Sequence, residues 1–112
     1  MTQPTIDLPT FDALSTTAGA NFVRELVDTF LVEAPAMLDD LRAAYATDDA
    51  DSFRRTAHSL KSNSNTFGAL TLGAMARELE LSGVAKADNA KLDALADEYA
   101  RVAAALSELK NG

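Results

Sequence analysis

The 112-residue chain carries a net charge of −7, and 47% of its residues are apolar, which is enough for one domain with a modest core. The acidic excess opposes nonspecific binding to nucleic acid. The sequence contains no cysteine and a single histidine, so it excludes disulfides, thiol chemistry and cysteine-ligated zinc, and it argues against a transition-metal site.

The first ten residues include two prolines and show little pattern, so we expect a tail over residues 1–10 that lies over a domain spanning residues 11–112. They lack the positive segment and apolar run of a signal peptide, and no run of about 18 apolar residues elsewhere predicts a membrane span. We therefore expect a cytoplasmic protein without a membrane segment. Met1 and the compact length favour a free-standing protein over a segment of a larger one.

Helical periodicity begins directly after this tail. A short helix is predicted from Phe11, with Thr10 as its N-cap, to Gly19. Asn21 is expected to cap the next helix, whose apolar residues recur at spacings of three and four. Proline inside a helix removes a hydrogen bond and clashes with the preceding turn, at a cost of about 3 kcal/mol. We therefore expect a kink or a break at Pro35, with Pro35 in the first turn of a second helix.

Three further helices are predicted in the second half of the chain. The central one covers about residues 50–67, and Gly68 is placed as the left-handed residue after its end. The residues expected to cap these three helices are Asp48 or Asp49, then Thr71, then Asp88. No strand pattern competes, and short connections make neighbouring helices antiparallel. The sequence thus predicts an all-α protein, an up-down antiparallel four-helix bundle with a short extra N-terminal helix.

The central helix carries the only histidine, His58. At about 100° per residue, its apolar residues fall within roughly 40° of one line, a stripe suited to a core. His58 lies about 140° from the centre of that stripe, on the side facing water. The residues at helical neighbour spacings around it are Arg54, Arg55, Lys61, Ser62 and Asn65. An exposed imidazole in a small basic and polar patch suits a residue that another protein must reach.

The segment 57–69, which reads AHSLKSNSNTFGA, resembles the signature of the histidine phosphotransfer (HPt) family. The positions that carry the resemblance are His58, Leu60, Lys61, the small residues 62–66, Phe67 and Gly68. The chain departs from the family at one position, four residues after the histidine, where Ser62 replaces the common glycine. Serine is still small enough to leave room for a partner.

The resemblance implies a protein that accepts a phosphoryl group on His58 from an aspartate of one receiver domain and passes it to another in a two-component phosphorelay. It implies receiver domains of response regulators and hybrid sensor histidine kinases as partners. Neutral imidazole has one unprotonated nitrogen, and an unperturbed histidine, with a pKa of about 6.5, is largely neutral at cytoplasmic pH. We expect Nε2 to attack phosphorus, because it projects farther from the helix. Lys61, one turn on, is expected to offset the charge of the phosphoryl group.

The remaining polar neighbours are expected to contact the partner. These are Arg54, Arg55, Ser62 and Asn65. The arginines have an alternative role as ion-pair partners of nearby acids such as Asp51, and the two small polar residues have an alternative role in simply leaving room. The sequence lacks a Gly-rich nucleotide loop and an acidic Mg²⁺-binding cluster near the histidine. We therefore expect no cofactor of its own and no autonomous ATP-dependent kinase activity, with Mg²⁺ supplied by the receiver.

Two other functions stay open at this point. One is a binding module that docks on a receiver or a kinase without carrying phosphate. The other is an independent hydrolase with His58 as the base, which would need an orienting carboxylate and a nucleophile that both converge on the ring. The hydroxyls of Ser59 and Ser62 lie on the same helix without such support. A monomer is expected, because no extended heptad pattern is exposed.

Overall fold

The computed structural model describes residues 5–111, which form five α-helices and one short 3₁₀ turn, with no strand in this part of the chain. The elements are α1 (Leu8–Ala18), α2 (Ala20–Ala46), α3 (Ala50–Thr66), α4 (Leu70–Ser82), the 3₁₀ turn Val84–Lys86 and α5 (Asn89–Asn111). α3 packs on α2 and α4, α5 packs on the same two helices, and α1 lies against α2 and α3. The predicted all-α bundle with an extra N-terminal helix is confirmed.

One continuous apolar core runs between the four long helices. The largest side chains that are fully buried in it are Phe53, Leu41, Leu60, Leu72, Leu95 and Leu106. The ring of Phe30 on α2 packs between two others, with its centroid 5.3 Å from that of Phe67, which directly follows α3, and 5.9 Å from that of Tyr99 on α5. Each large apolar side chain contributes about 1.5–3 kcal/mol when buried. Across residues 5–111, every helix is too short or too polar to cross a membrane.

α1 begins three residues before its predicted start, because Asp7 and not Thr10 is its N-cap. The Asp7 carboxylate accepts a hydrogen bond from the N–H of Thr10 at 3.2 Å. Ile6 is buried, and the N–H of Asp7 donates to the carbonyl of Gly68 at 2.8 Å, which ties this segment to the bundle. The helix ends at Gly19, as predicted. The rest of the predicted tail, residues 1–4, lies outside the described residues, and the division at residue 10 stays a prediction.

α2 is a single helix of 27 residues, so the predicted second helix at Pro35 is wrong. The predicted cap at Asn21 is also wrong, since the helix already begins at Ala20. α2 buries one apolar stripe on both sides of the proline: Val23, Val27, Phe30, Ala34, Leu41 and Ala44. Together these side chains outweigh the local cost of about 3 kcal/mol. The carbonyl of Leu31, which faces the missing N–H, accepts a hydrogen bond from the hydroxyl of Tyr99 on α5.

The caps of the last three helices follow the sequence in two cases of three. Asp49 caps α3, and Gly68 follows that helix with a left-handed φ of 84°. The N–H of Lys91 donates to the carboxylate of Asp88 at 2.8 Å, which caps α5 as predicted. The prediction for Thr71 is wrong, because α4 begins one residue earlier and has no side-chain cap.

Candidate functional site

α3 presents the site, and both of its ends are fixed by local chemistry. Asp49 accepts hydrogen bonds from the N–H of Ser52 at 3.2 Å and from its hydroxyl at 2.8 Å, and these bonds hold the pKa of the Asp49 carboxyl below its ordinary value. Asp51 in the first turn suits the positive end of the helix dipole. At the other end, a Cβ on Gly68 would lie 2.7 Å from the backbone oxygen of Asp7, so only glycine fits there.

α3 separates an apolar face from an exposed one. The residues it buries are Phe53, Ala57, Leu60 and Ser64. His58 lies on the opposite face, and its side chain is 57% exposed. The helical phase read from the sequence therefore places the imidazole correctly, in reach of another protein.

A carboxylate on α4 holds one edge of the ring. Nδ1 of His58 lies 2.7 Å from Oε2 of Glu80, and Nζ of Lys61 lies 2.9 Å from Oε1 of the same carboxylate. The Glu80 side chain is 16% exposed. A single, largely covered carboxylate thus bridges the imidazole and the ammonium.

The charge of Glu80 determines which ring nitrogen is free. The ammonium of Lys61 is the largest cause that lowers the pKa of Glu80, and the hydrogen bond from His58 adds to it, while burial of the carboxylate acts the other way. Glu80 is therefore anionic at neutral pH and can only accept hydrogen bonds. The neutral ring must then carry its proton on Nδ1, which leaves the lone pair on Nε2, on the ring edge away from Glu80.

Glu80 is the site residue that sequence analysis missed. A signal was present in the connection between α3 and α4, which are joined at Gly68. His58 lies ten residues before this glycine and Glu80 twelve residues after it, so an antiparallel pair brings the two side by side. Glu80 also follows directly on Leu79, which is buried in the core, so it lies at the edge of the packed face of α4.

A glycine on α4 makes room for another site residue. A Cβ on Gly73 would clash with Oδ1 of Asn65, so the absence of a side chain on α4 lets the Asn65 amide lie against that helix. Asn65 remains exposed, two turns after His58 on the same side of α3. It is thereby placed where a partner that covers the imidazole can reach it.

The other predicted site residues are exposed on α3, and the two arginines differ in their contacts. The guanidinium of Arg54 is 3.8 Å from the carboxylate of Asp51, and its side chain is 59% exposed. Arg55 donates from Nε to the carbonyl of Asp51 at 3.4 Å and lines a groove between α2 and α3. Ser62 is exposed one turn after His58. The structure thus gathers His58 and Lys61 around Glu80 and directs Arg55 towards the groove that faces α2.

The site has one of the two groups that a hydrolase would need. Glu80 is an orienting carboxylate for His58, but no hydroxyl of the described residues bonds to the ring. Ser59 lines the groove towards α2 instead. Likewise, from residue 5 to residue 111, no three acidic or histidine side chains converge in the manner of a metal site. The geometry suits a nucleophilic imidazole more than a triad.

Comparisons of the sequence and of the structure identify proteins that are similar to this chain. The sequence model described as Hpt domain matches residues 25–111. The crystal structure of histidine-containing phosphotransfer protein B (HptB) from Pseudomonas aeruginosa PAO1 is similar, with a TM-score of 0.89 and 27% identity over 98% of this chain and 97% of that one. No curated protein sequence matches the chain.

A second solved structure is similar in fold. It is the HPT domain of a sensor hybrid histidine kinase from Shewanella, with a TM-score of 0.73 over 94% of this chain and 92% of that one, and its 21% identity supports the fold alone. The family match covers most of the chain, and both structural neighbours share its helical bundle. The chain therefore belongs to the Hpt domain family, the histidine phosphotransfer modules of phosphorelays, which interact with receiver domains and are not kinases.

Proposed function

We propose that this protein carries a phosphoryl group on His58, which it accepts from the aspartyl phosphate of one receiver domain and passes to an aspartate of another. One observation carries the assignment to this residue. The family transfers phosphoryl groups through histidine, and the chain has a single histidine, exposed on α3 with Nε2 free. Receiver domains of response regulators and of hybrid sensor histidine kinases are the proposed donors and acceptors.

The loading step uses the lone pair that Glu80 leaves on Nε2. This lone pair attacks phosphorus, the bond from phosphorus to the aspartyl oxygen breaks, and its electron pair leaves with the carboxylate of the receiver. The ring keeps its proton on Nδ1 and becomes cationic, so the carboxylate of Glu80 at 2.7 Å stabilises the product. In the reverse direction an aspartate oxygen attacks phosphorus, the bond to Nε2 breaks, and the neutral ring is restored.

The other site residues support this chemistry from the surface. We propose that Lys61 offsets the charge of the phosphoryl group, although its ammonium is shared with Glu80 at rest. The residues proposed to contact the receiver are Arg54, Arg55, Ser62 and Asn65. Mg²⁺ and the acidic pocket belong to the receiver, so the protein needs no cofactor of its own and does not take phosphate from ATP. We place it in the cytoplasm with these partners, as a monomer.

Labelling by a phosphorylated receiver tests the proposal. A receiver that carries an aspartyl phosphate, with Mg²⁺, should transfer its phosphoryl group to the wild type and not to His58→Gln, and the product should have the acid lability of a bond between phosphorus and nitrogen. ATP without a kinase should label neither protein. Labelling that survives in His58→Gln would contradict the proposal. Equal activity of both proteins in a receiver-dependent assay would indicate a docking module that carries no phosphate.

A further inference from the structure

Lys61 already has an ion-pair partner. Its Nζ lies 2.9 Å from Oε1 of Glu80, and only 23% of its side chain is exposed. The same carboxylate holds Nδ1 of His58 with its other oxygen. A phosphorylated side chain carries a charge of about −1.5 to −2 and favours a nearby cation with free donors. The ion pair with Glu80 and the low exposure of its side chain leave Lys61 less available for that contact.

Arg54 is a second cation on the same side of α3, and its ion pair is much weaker. Its side chain is 59% exposed, and its guanidinium is 3.8 Å from the carboxylate of Asp51, which is too long for a hydrogen bond. The Asp51 side chain is itself 83% exposed. Exposed ion pairs of this kind contribute little to stability. Arg54 can therefore exchange Asp51 for a stronger anion at small cost.

Arg55 is adjacent in sequence but is differently placed. Its Nε donates to the backbone carbonyl of Asp51, and its side chain lines the groove between α2 and α3 together with Asp40. At about 100° per residue, Arg54 lies about 40° from His58 on the side of α4, and Arg55 lies about 60° from it on the side of α2. The ring of His58 is held towards α4 by Glu80, which is the side of Arg54.

The direction of helical side chains adds a second argument. The bond from Cα to Cβ tilts towards the N-terminus of a helix, so a side chain covers the turn before its own residue. The imidazole of His58 thus leans over the turn that carries Arg54, four residues earlier. The planar guanidinium presents paired N–H donors that match two phosphate oxygens, a geometry that an ammonium lacks.

We infer that Arg54 binds the phosphoryl group on His58 directly, with two N–H donors that exchange the carboxylate of Asp51 for phosphate oxygens. The inference rests on the proposed function of His58 and adds to it the residue that holds the transferred group. Lys61 then acts on the phosphoryl group from a distance, through its charge, while it remains paired with Glu80.

A small-molecule phosphoryl donor loads His58 without a receiver domain, so it separates binding of the phosphoryl group from docking of a partner. Phosphoramidate can phosphorylate an accessible imidazole directly, and after its removal the phosphohistidine can be titrated by ³¹P NMR. A neighbouring cation favours the dianion, so we expect Arg54→Ala to raise the second pKa of the phosphoryl group by about 0.5 units or more. Arg54→Lys should give an intermediate pKa. Arg55→Ala, which removes the same charge one residue away, should shift the pKa by less than half as much.

The variants give a different pattern of pKa shifts if another residue contacts the phosphoryl group. Equal small shifts in Arg54→Ala and Arg55→Ala, or a larger shift in Lys61→Ala, would overturn the inference. An unchanged titration combined with slow transfer from a receiver would also overturn it, because Arg54 would then be a docking residue. If neither phosphoramidate nor a phosphorylated receiver labels the wild type, the proposed function itself is refuted. This outcome differs from a labelled protein whose phosphoryl titration is unchanged. Urea unfolding of each variant confirms that the fold is intact.

Discussion

The hydroxyl of Tyr99 on α5 donates a hydrogen bond to the carbonyl of Leu31 on α2, over 3.4 Å. In a regular helix that carbonyl would accept from the N–H of residue 35, which is proline and has none. Burial raises the pKa of the Tyr99 hydroxyl, so it remains protonated and able to donate at neutral pH. A side chain from a neighbouring helix thus replaces the bond that Pro35 removes, and α2 continues as one helix.

Tyr99→Phe should destabilise the protein by about 1–2 kcal/mol, because it leaves the carbonyl of Leu31 without a donor in a partly buried position. Urea unfolding measures this loss. Pro35→Ala restores the helical N–H, so the same tyrosine substitution should cost clearly less in that background. An equal cost in both backgrounds would show that the hydroxyl does not compensate for the proline.

Gly68→Ala should be more harmful than the corresponding change at Gly19. Both glycines have a left-handed φ, 84° and 92°, so both substitutions strain the backbone by about 1–2 kcal/mol. A Cβ at Gly68 would in addition lie 2.7 Å from the backbone oxygen of Asp7, whereas nothing lies within 4 Å of one at Gly19. The difference between the two variants in unfolding free energy measures the cost of this contact. Equal values would mean that the segment around Asp7 moves aside without cost.

The sequence predicts features that depend on one helix at a time. The outward position of His58 follows from the spacing of the apolar residues of α3, because helical phase is a local property. The continuity of α2 through Pro35 could not be predicted in the same way, since it depends on a hydroxyl from a distant helix.

Competition between nearby residues also limits what the sequence predicts. Thr10 and Asp7 are both good caps, three residues apart, and the contact of the Asp7 N–H with Gly68 favours the earlier one. Glu80 was missed because its role requires α4 to pack beside α3, which is a tertiary relationship. The exposed position of His58 could thus be predicted from one helix, and the carboxylate that contacts its ring could not.

Glu80→Gln should change the stability of the protein in a pH-dependent way. Folding lowers the pKa of Glu80 from its ordinary value of 4.5, so the ionised carboxylate adds stability above that pH, and this stability is lost as the pH falls through the lowered pKa. Urea unfolding should therefore show the largest difference between wild type and Glu80→Gln near neutral pH and a smaller one in acid. Glu78→Gln, an exposed change on the same helix, is the control. A difference that stays constant with pH would contradict this assignment.

Glu80 should also fix the tautomer of His58. In the wild type the neutral ring should carry its proton on Nδ1, because an anionic carboxylate accepts there. ¹⁵N NMR of the ring nitrogens reports this directly. In Glu80→Ala the proton is free to move to Nε2, which removes the nucleophilic lone pair from the exposed edge, so loading from phosphoramidate should be slower. An unchanged tautomer in Glu80→Ala would show that another group orients the ring.

Ser62 should set how closely a receiver can approach the imidazole. It is exposed one turn after His58, so Ser62→Gly should preserve transfer from a receiver, whereas Ser62→Trp should block docking by steric exclusion. Phosphoramidate is small, so it should still label the Ser62→Trp protein. Ala100→Trp places the same bulk on an exposed position of α5, which packs on α2 and α4, and should transfer normally. Normal receiver transfer in Ser62→Trp would mean that the partner approaches His58 from another side.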